Sequence, residues 1–314
     1  MENKFHELAG RLRCPDDYAA LRFTALAATC TQCARVYPVQ HGALLELLPS
    51  RPVDLPASHD PEYVAEYRRA FLQRFDMRED RMSWGAPEIS APRWIKKRER
   101  QVQAVRAALV GIGEVQRAGV LCDISAGAGY YTFGLARNFQ HVLHCDLSVA
   151  SLAYAIRKAA RLRIDNVLFL RLDYFRMPFV QSLERILCFD TLIRGESHEE
   201  LLLRQIRGAL TPAGSAIVDF HNWWHSPARR MGLLPQNFAN NRSYSRAEAE
   251  SLLRRCGIER CAFRPFYQEF ELTSSWRRAL SRLIPPARLM FEFPGSSPPP
   301  VQPVVDDSKC LVAP

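Results

Sequence analysis

The 314-residue chain contains no run of about eighteen apolar residues, the length a helix needs to cross a bilayer, so no transmembrane helix is expected. Its opening, Met1-Glu2-Asn3-Lys4-Phe5-His6, lacks the apolar core of a secretion signal, and a cytoplasmic protein is the expectation. No internal repeat is present. The cysteine count is odd, nine, which does not read as a fully paired disulfide framework. Cys122, Cys145 and Cys188 fall inside or at the ends of apolar runs, where a thiol serves as a small buried hydrophobe in a reducing compartment. The net charge of +9 is arginine-heavy and spread along the chain, which fits an acidic partner and equally a solvated surface. An apolar content of 47% with 24% charged residues is that of a globular protein, and the length suits one α/β domain with an appendage.

What is present is organised around Val120-Leu121-Cys122-Asp123-Ile124-Ser125-Ala126-Gly127-Ala128-Gly129-Tyr130-Tyr131. A short apolar run turns through small residues into a segment of helical spacing (Phe133, Leu135, Ala136, Phe139). Such a strand-loop-helix lets a ligand approach the backbone and aims free N–H groups at it. Four further strands are read at His141–Asp146, Val167–Leu172, Arg185–Phe189 and Ser215–Phe220, the second, third and fourth of the five ending at Asp146, Asp173 and Asp190. Helices are predicted between them, from Val149 to Arg161 and from Glu199 to Leu210. Alternating strands and helices predict a parallel sheet with its ligands at the carboxyl edge.

From about Gly119 to Asn222 the chain resembles the class I S-adenosylmethionine-dependent methyltransferases. Their loop reads acid-x-G-x-G-x-G; Asp123, Gly127 and Gly129 match, and Ser125 stands in place of the first glycine. The turn Leu210-Thr211-Pro212-Ala213-Gly214 is similar to the family's Leu-x-Pro-Gly-Gly. The three-glycine fingerprint of nicotinamide enzymes opens differently and sits nearer the chain start. The resemblance implies an α/β fold, a Rossmann-like seven-stranded doubly wound sheet, with S-adenosylmethionine as cofactor. It implies Asp123, Ser125, Ala126, Gly127 and Gly129 in the binding loop, Asp146 on the ribose with Leu147 beside it, Asp173 and Tyr174 at the adenine amino group, and Phe189 at the end of the fourth strand.

The first fifty residues read as a separate module. Cys14-Pro15-Asp16-Asp17, then Cys30-Thr31-Gln32-Cys33, then Tyr37-Pro38 and Gly42 to Leu48 resemble the small zinc-ribbon family that activates tRNA methyltransferases. Paired cysteine turns hold zinc because each supplies half a tetrahedron. The resemblance implies a site of Cys14, Asp17, Cys30 and Cys33, with Asp17 where the second cysteine would be. Zinc held by three thiolates and a carboxylate, and a metal-free module that keeps the shape, both stay open. Residues 51–100 are read as a proline-containing linker and cap helices, with Glu62 to Met77 amphipathic and the basic run Arg93 to Arg100 either a helix face or a nucleic-acid contact. The methyltransferase domain is placed at 101–272, its end an antiparallel pair at Ile258–Phe263 and Phe266–Leu272. A helix at Ser275–Ile284 and a disordered proline-rich tail complete 273–314.

Loops beyond the fourth and fifth strands face the substrate in this fold. His221, His225 and His198 are the candidate general bases, because imidazole exchanges protons near neutral pH. Arg194, Trp223, Trp224 and Tyr131 are the candidate substrate contacts. Three functions are compatible with these features. The favoured one is methyl transfer to a small or medium metabolite. RNA is the alternative acceptor, through a likeness to the 23S rRNA guanine-N1 enzymes that rests on the N-terminal module and Gly129 to Thr132. The third is a non-catalytic partner that keeps the fold.

Overall fold

The computed structural model describes residues 4–41, 44–79, 92–110, 119–225, 228, 231–235, 237–238, 241–266, 286 and 288–295. In chain order the strands are β1 (Leu21–Phe23), β2 (Ala27–Cys30), β3 (Val36–Gln40), β4 (Leu44–Leu47), β5 (Val120–Ile124), β6 (His141–Asp146), β7 (Val167–Leu172), β8 (Leu183–Leu192), β9 (Leu210–His221), β10 (Asn237–Phe238), β11 (Asn241–Arg242), β12 (Ala262–Phe266) and β13 (Arg288–Pro294). The helices are α1 (Pro61–Leu72), α2 (Pro92–Val110), α3 (Tyr130–Leu135), α4 (Val149–Leu162), α5 (Glu196–Ala209) and α6 (Arg246–Arg255).

Every residue of β5 and β7 is buried, which is why both read as unbroken apolar runs: helices and loops cover the two faces of a parallel sheet. The strands β7-β6-β5-β8-β9 run parallel in that spatial order, followed by β13, antiparallel to β9, and β12, antiparallel to β13, and these make the expected seven-stranded doubly wound sheet. The helices begin where local chemistry says they should. The Ser148 side chain accepts from the Ser151 amide to start α4, and Ser245 with Glu248 forms a complete capping box on α6.

Two parts of the fold differ from the sequence reading. The antiparallel partner inserted beside β9 is β13, from residues assigned beforehand to the tail region, and β12 pairs with it at Ala262–Phe266. The apolar alternation of Arg288–Pro294 is short and flanked by prolines, so without its partner strand it does not stand out. The predicted Phe266–Leu272 strand beyond its first residue, and the predicted Ser275–Ile284 helix, lie outside the described residues. The second difference is the first fifty residues, which join the sheet. β4 lies parallel on β7 in the register Leu44↔Phe169 to Leu47↔Leu172, and β3, β2 and β1 continue outward to eleven strands. The connection from β7 to β8 carries no helix, and Phe5, Leu8 and Leu12 share the core that includes Leu143, Leu170 and Ile186. Leu12 bridges Phe179, the Arg13 amide donates to the Pro178 carbonyl at 2.9 Å, and Arg176 donates to the Asp16 carbonyl at 2.6 Å.

Arg171, on β7, is 2% exposed and has five acceptors. Its guanidinium meets Glu46 Oε2 of β4 at 2.7 Å, the α1 terminal carbonyls of Ala70 and Phe71 and that of Gln73 at 2.8, 3.3 and 2.6 Å, and the Leu147 carbonyl at 3.3 Å. Arg171→Met should lower the unfolding free energy by about 3–5 kcal/mol, because Glu46 would lose its cationic partner and the helix-terminal carbonyls their donor. Urea denaturation measures this; a loss under about 1 kcal/mol, the scale of an exposed ion pair, would show that these contacts are not what joins the segments.

Candidate active site

The loop between β5 and α3 is shaped by backbone conformation. Ser125 has φ 58°, so the serine in place of glycine does occupy the left-handed region that glycine would take at little cost. Gly129 has φ 72°, and a Cβ there would meet the Phe133 ring at 2.5 Å. Asp123, at the end of β5, accepts from both the amide and the hydroxyl of Thr132, at 2.9 and 2.6 Å. Burial lifts its pKa to about 7 in spite of those bonds. Asp146, at the end of β6, accepts from the Gly127 amide and the Ser148 amide, each at 2.8 Å, and so holds the loop and the start of α4 together. Burial raises its pKa as well.

These groups line a cleft of about 490 Å³ at the carboxyl edge of the sheet. Of the residues predicted for cofactor or substrate, Asp123, Ser125, Ala126, Gly127, Tyr131, Asp146 and Phe189 all border it. Tyr131 and Phe189 stack with ring centroids 4.5 Å apart. Gly129 supports the loop from behind, and Leu147 contributes its carbonyl to Arg171.

At the far end of the cleft lies an ionic cluster that sequence reasoning did not assemble. Asp190 ends β8's core run in the left-handed region (φ 57°), with its amide donating to Asp219 Oδ1 at 2.8 Å. Its carboxylate takes Arg288 of β13 on one oxygen and Arg98 of α2 on the other, with His221 Nε2 at 3.5 Å. Although burial opposes ionisation, Arg288, His221 and Arg98 hold Asp190 well below the usual carboxylate range. Asp219, 1% exposed, is pushed up to about 6 by burial, with Arg288 opposing at 3.1 Å and the Asp190 charge adding to the rise. Asp190 is visible in the sequence as a strand-end acid, and His221 as a strand-end histidine. Arg98 falls within the basic run Arg93 to Arg100 and Arg288 within no motif, and nothing near either in sequence names Asp190 as its partner.

Other predicted residues lie elsewhere. Asp173 accepts from the Tyr67 hydroxyl and, at 2.9 Å, from the Phe175 amide, and Tyr174 shares a 2.7 Å bond with Tyr63; neither borders the cleft. His198 is buried in a box with Tyr63, Tyr174, Phe175 and His59, and Arg194 lies over the Tyr63 ring at 4.8 Å. Trp223, Trp224 and His225 form a single 3-10 turn after β9, with Trp224 50% exposed, and they do not line the described cleft.

Cys14, Asp17, Cys30 and Cys33 do come together, with one ligand atom from each within 4.8 Å of the others. Cys14 Sγ and Cys33 Sγ are 3.7 Å apart, close to the edge of about 3.8 Å expected when Zn–S is about 2.3 Å in a tetrahedron. The amides of Gln32 and Cys33 donate to Cys30 Sγ at 3.3 and 3.4 Å, and the Asp17 carboxylate lies 3.3 Å from the same sulfur. The donor set fits a zinc ion.

Burial, together with His59 and Arg194, drives the His198 pKa down to about 3. An unfolded imidazole titrates near about 6.5, so below that pH the unfolded chain takes up a proton that the folded one refuses. The contribution is therefore complete above about pH 6.5 and is lost as pH falls toward about 3. Between about pH 7.5 and pH 5, wild type should lose about 2 kcal/mol more stability than His198→Phe, measured by urea midpoints; equal losses would contradict the assignment.

Residues 121–214 match the family described as "Methyltransferase domain". None of the curated proteins matches the chain. Among solved structures, the chain is similar to phosphoethanolamine N-methyltransferase 2 of Haemonchus contortus, with phosphomonomethylethanolamine and S-adenosylhomocysteine, at 15% identity and TM-score 0.48, covering 63% of this chain and 53% of that one. It is similar to magnesium protoporphyrin IX methyltransferase of Synechocystis with bound S-adenosylhomocysteine, at 16% identity and TM-score 0.46, covering 75% and 95%. It is also similar to geranyl diphosphate C-methyltransferase of Streptomyces coelicolor, at 16% identity and TM-score 0.47, covering 76% and 99%. The chain thus spans about half the length of the first of these. The stretch 121–214 is thus similar to methyltransferase domains, and it lies within the parallel, Rossmann-like part of the sheet.

Proposed function

We propose that the chain moves a methyl group from S-adenosylmethionine to an acceptor of small or medium size. The observation that carries this reading is Asp146: a strand-end carboxylate bordering the cleft, held by the Gly127 amide of the small-residue loop. The residues present fit the cosubstrate. Asp146 would take the ribose hydroxyls, and the Ser125–Gly129 loop, open at its backbone, would take the amino-acid portion. Bound there, the sulfonium supplies an electrophilic methyl group for in-line displacement.

The chain's own work is positioning. Tyr131 and Phe189 give the cleft an aromatic wall, and α1 adds Glu66 to its border. Orienting both reactants removes much of the entropic barrier, which is the main contribution a protein makes to such a displacement. Where the acceptor must lose a proton, His221 would receive it. Its Nε2 lies beside Asp190, whose anionic form stabilises an imidazolium. Zinc belongs to the proposal as a structural ion on Cys14, Asp17, Cys30 and Cys33, closing the module whose strand β4 extends the sheet.

Two measurements test this reading. Calorimetric titration with S-adenosylhomocysteine should show micromolar binding that Asp146→Ala weakens at least about tenfold, the value of a hydrogen bond to a charged group. No binding by folded wild type overturns it. For the metal, the purified chain should carry zinc at one equivalent, and Cys30→Ala should lose it together with several degrees of melting temperature. A metal-free chain with an unchanged melting point after chelator treatment would remove zinc from the account.

A further inference from the structure

Outside the cofactor cleft, two helix N-termini converge on a pair of buried histidines. The hydroxyls of Ser58 and Ser197 are 3.0 Å apart, and the next residues, His59 and His198, bring their ring centroids to 5.8 Å. His59 directly precedes Asp60, the N-cap of the 12-residue α1. His198 sits in the first turn of the 14-residue α5, whose N-cap, Gly195, supplies no side-chain bond. Both helices therefore direct their positive ends at this point. The Arg194 guanidinium adds a full charge beside it, over the Tyr63 ring.

The histidines are under-satisfied. His198 is 1% exposed, and neither of its ring nitrogens has a hydrogen-bond partner among the described residues. His59 is 7% exposed; its Nδ1 faces the Pro56 carbonyl at 3.2 Å, and its Nε2 has no such partner. Buried polar groups are rarely left unpaired, so three nitrogens in one box call for a ligand.

The surroundings decide its sign. The nearby carboxylates are already committed: Asp60 to the Glu62 amide of its own helix, Glu199 to the Arg194 and Gly195 amides, and Asp173 to Tyr67 and the Phe175 amide. What remains without a hydrogen-bond partner among the described residues is both His198 ring nitrogens and His59 Nε2, with the Arg194 guanidinium beside them. A fixed guanidinium next to imidazole N–H groups repels a cation and receives an anion. Arg194 also lies only four residues past Asp190, on the connection that leads out of the cleft.

We propose that His198, His59 and Arg194 form a subsite for an anionic substituent, a carboxylate or a phosphate, of the methyl acceptor. The assignment to an acceptor rests on the methyltransferase reading; the anion site itself does not. The site would anchor the acceptor by a group remote from the methylated atom, so that recognition and reaction are handled by different residues.

The test is calorimetry with inorganic phosphate and, separately, acetate, titrated into the chain loaded with S-adenosylhomocysteine. Because the +9 chain attracts anions at other places, the same titrations are made on Arg194→Met and His198→Phe. The expected result is saturable binding of one of the two anions by wild type, weakened at least about tenfold in both variants, with S-adenosylhomocysteine affinity unchanged. The anion that binds names the acceptor's class. No saturable binding by folded wild type, or equal affinity in all three proteins, overturns the proposal. Arg194 is exposed, so Arg194→Met keeps the test decisive should His198→Phe not fold. If wild type fails to bind S-adenosylhomocysteine, the methyltransferase reading falls by itself, and titration of the unloaded chain still decides the subsite.

Discussion

A guanidinium buried in the middle of a parallel sheet is the constraint to which the other parts answer. Taking Arg171 out of water costs several kcal/mol, and only near-complete pairing offsets that. The pairing comes from three separate segments: Glu46 on β4, the carbonyls at the end of α1 including that of its cap Gln73, and the Leu147 carbonyl next to Asp146. Helix-terminal carbonyls need donors in any case, so Arg171 caps α1 while it neutralises Glu46. The same side chain thus fixes where the N-terminal strands attach, where the covering helix stops, and how the loop after β6 is held. Asp146 pairs across the sheet with Arg171 itself, which couples this strand-end acid of the cleft to the frame.

The second consequence of this layout is a division of charge along the carboxyl edge. At one end of the cleft, Asp123 and Asp146 are held by amides and one hydroxyl, with burial raising both. At the other end, Asp190 is surrounded by Arg98, Arg288 and His221 and stays ionised. Two acids at strand ends in one sheet therefore have opposite electrostatic characters. One end suits hydroxyl and amide partners, the other a charged or proton-exchanging one. The arginines that create the difference come from α2, which precedes the core strands, and from β13, which closes the sheet, so the chemistry of the site depends on the whole chain.

The core of the fold was legible because its signals are local. Five apolar runs, three of them ending in acids, a small-residue loop and a Leu-Thr-Pro-Ala-Gly turn each lie within a few residues, and a buried parallel strand has no polar alternation to confuse it. Asp123, Gly127 and Asp146 were found for that reason. Arg171 sat in plain view within Val167–Leu172, but nothing near it in sequence names Glu46 or the end of α1 as its partners. β4 read as part of a small separate module, since its partner strand β7 lies more than a hundred residues away. Asp173 was assigned by position in the motif, and Tyr67 from α1 occupies it. The substrate-side histidines parted company for the same reason: His221 reached Asp190, whereas His198 turned into an aromatic box built by α1. Long-range contacts, not propensities, decided each of these.

The most direct measurement of the central claim is hydrogen–deuterium exchange with and without S-adenosylmethionine. The account predicts slowed exchange confined to the backbone of 123–131 and 146–151 and to α1, since those segments border the cleft or are tied to it through Arg171. Unchanged exchange throughout, or protection only at segments away from the cleft, would contradict it.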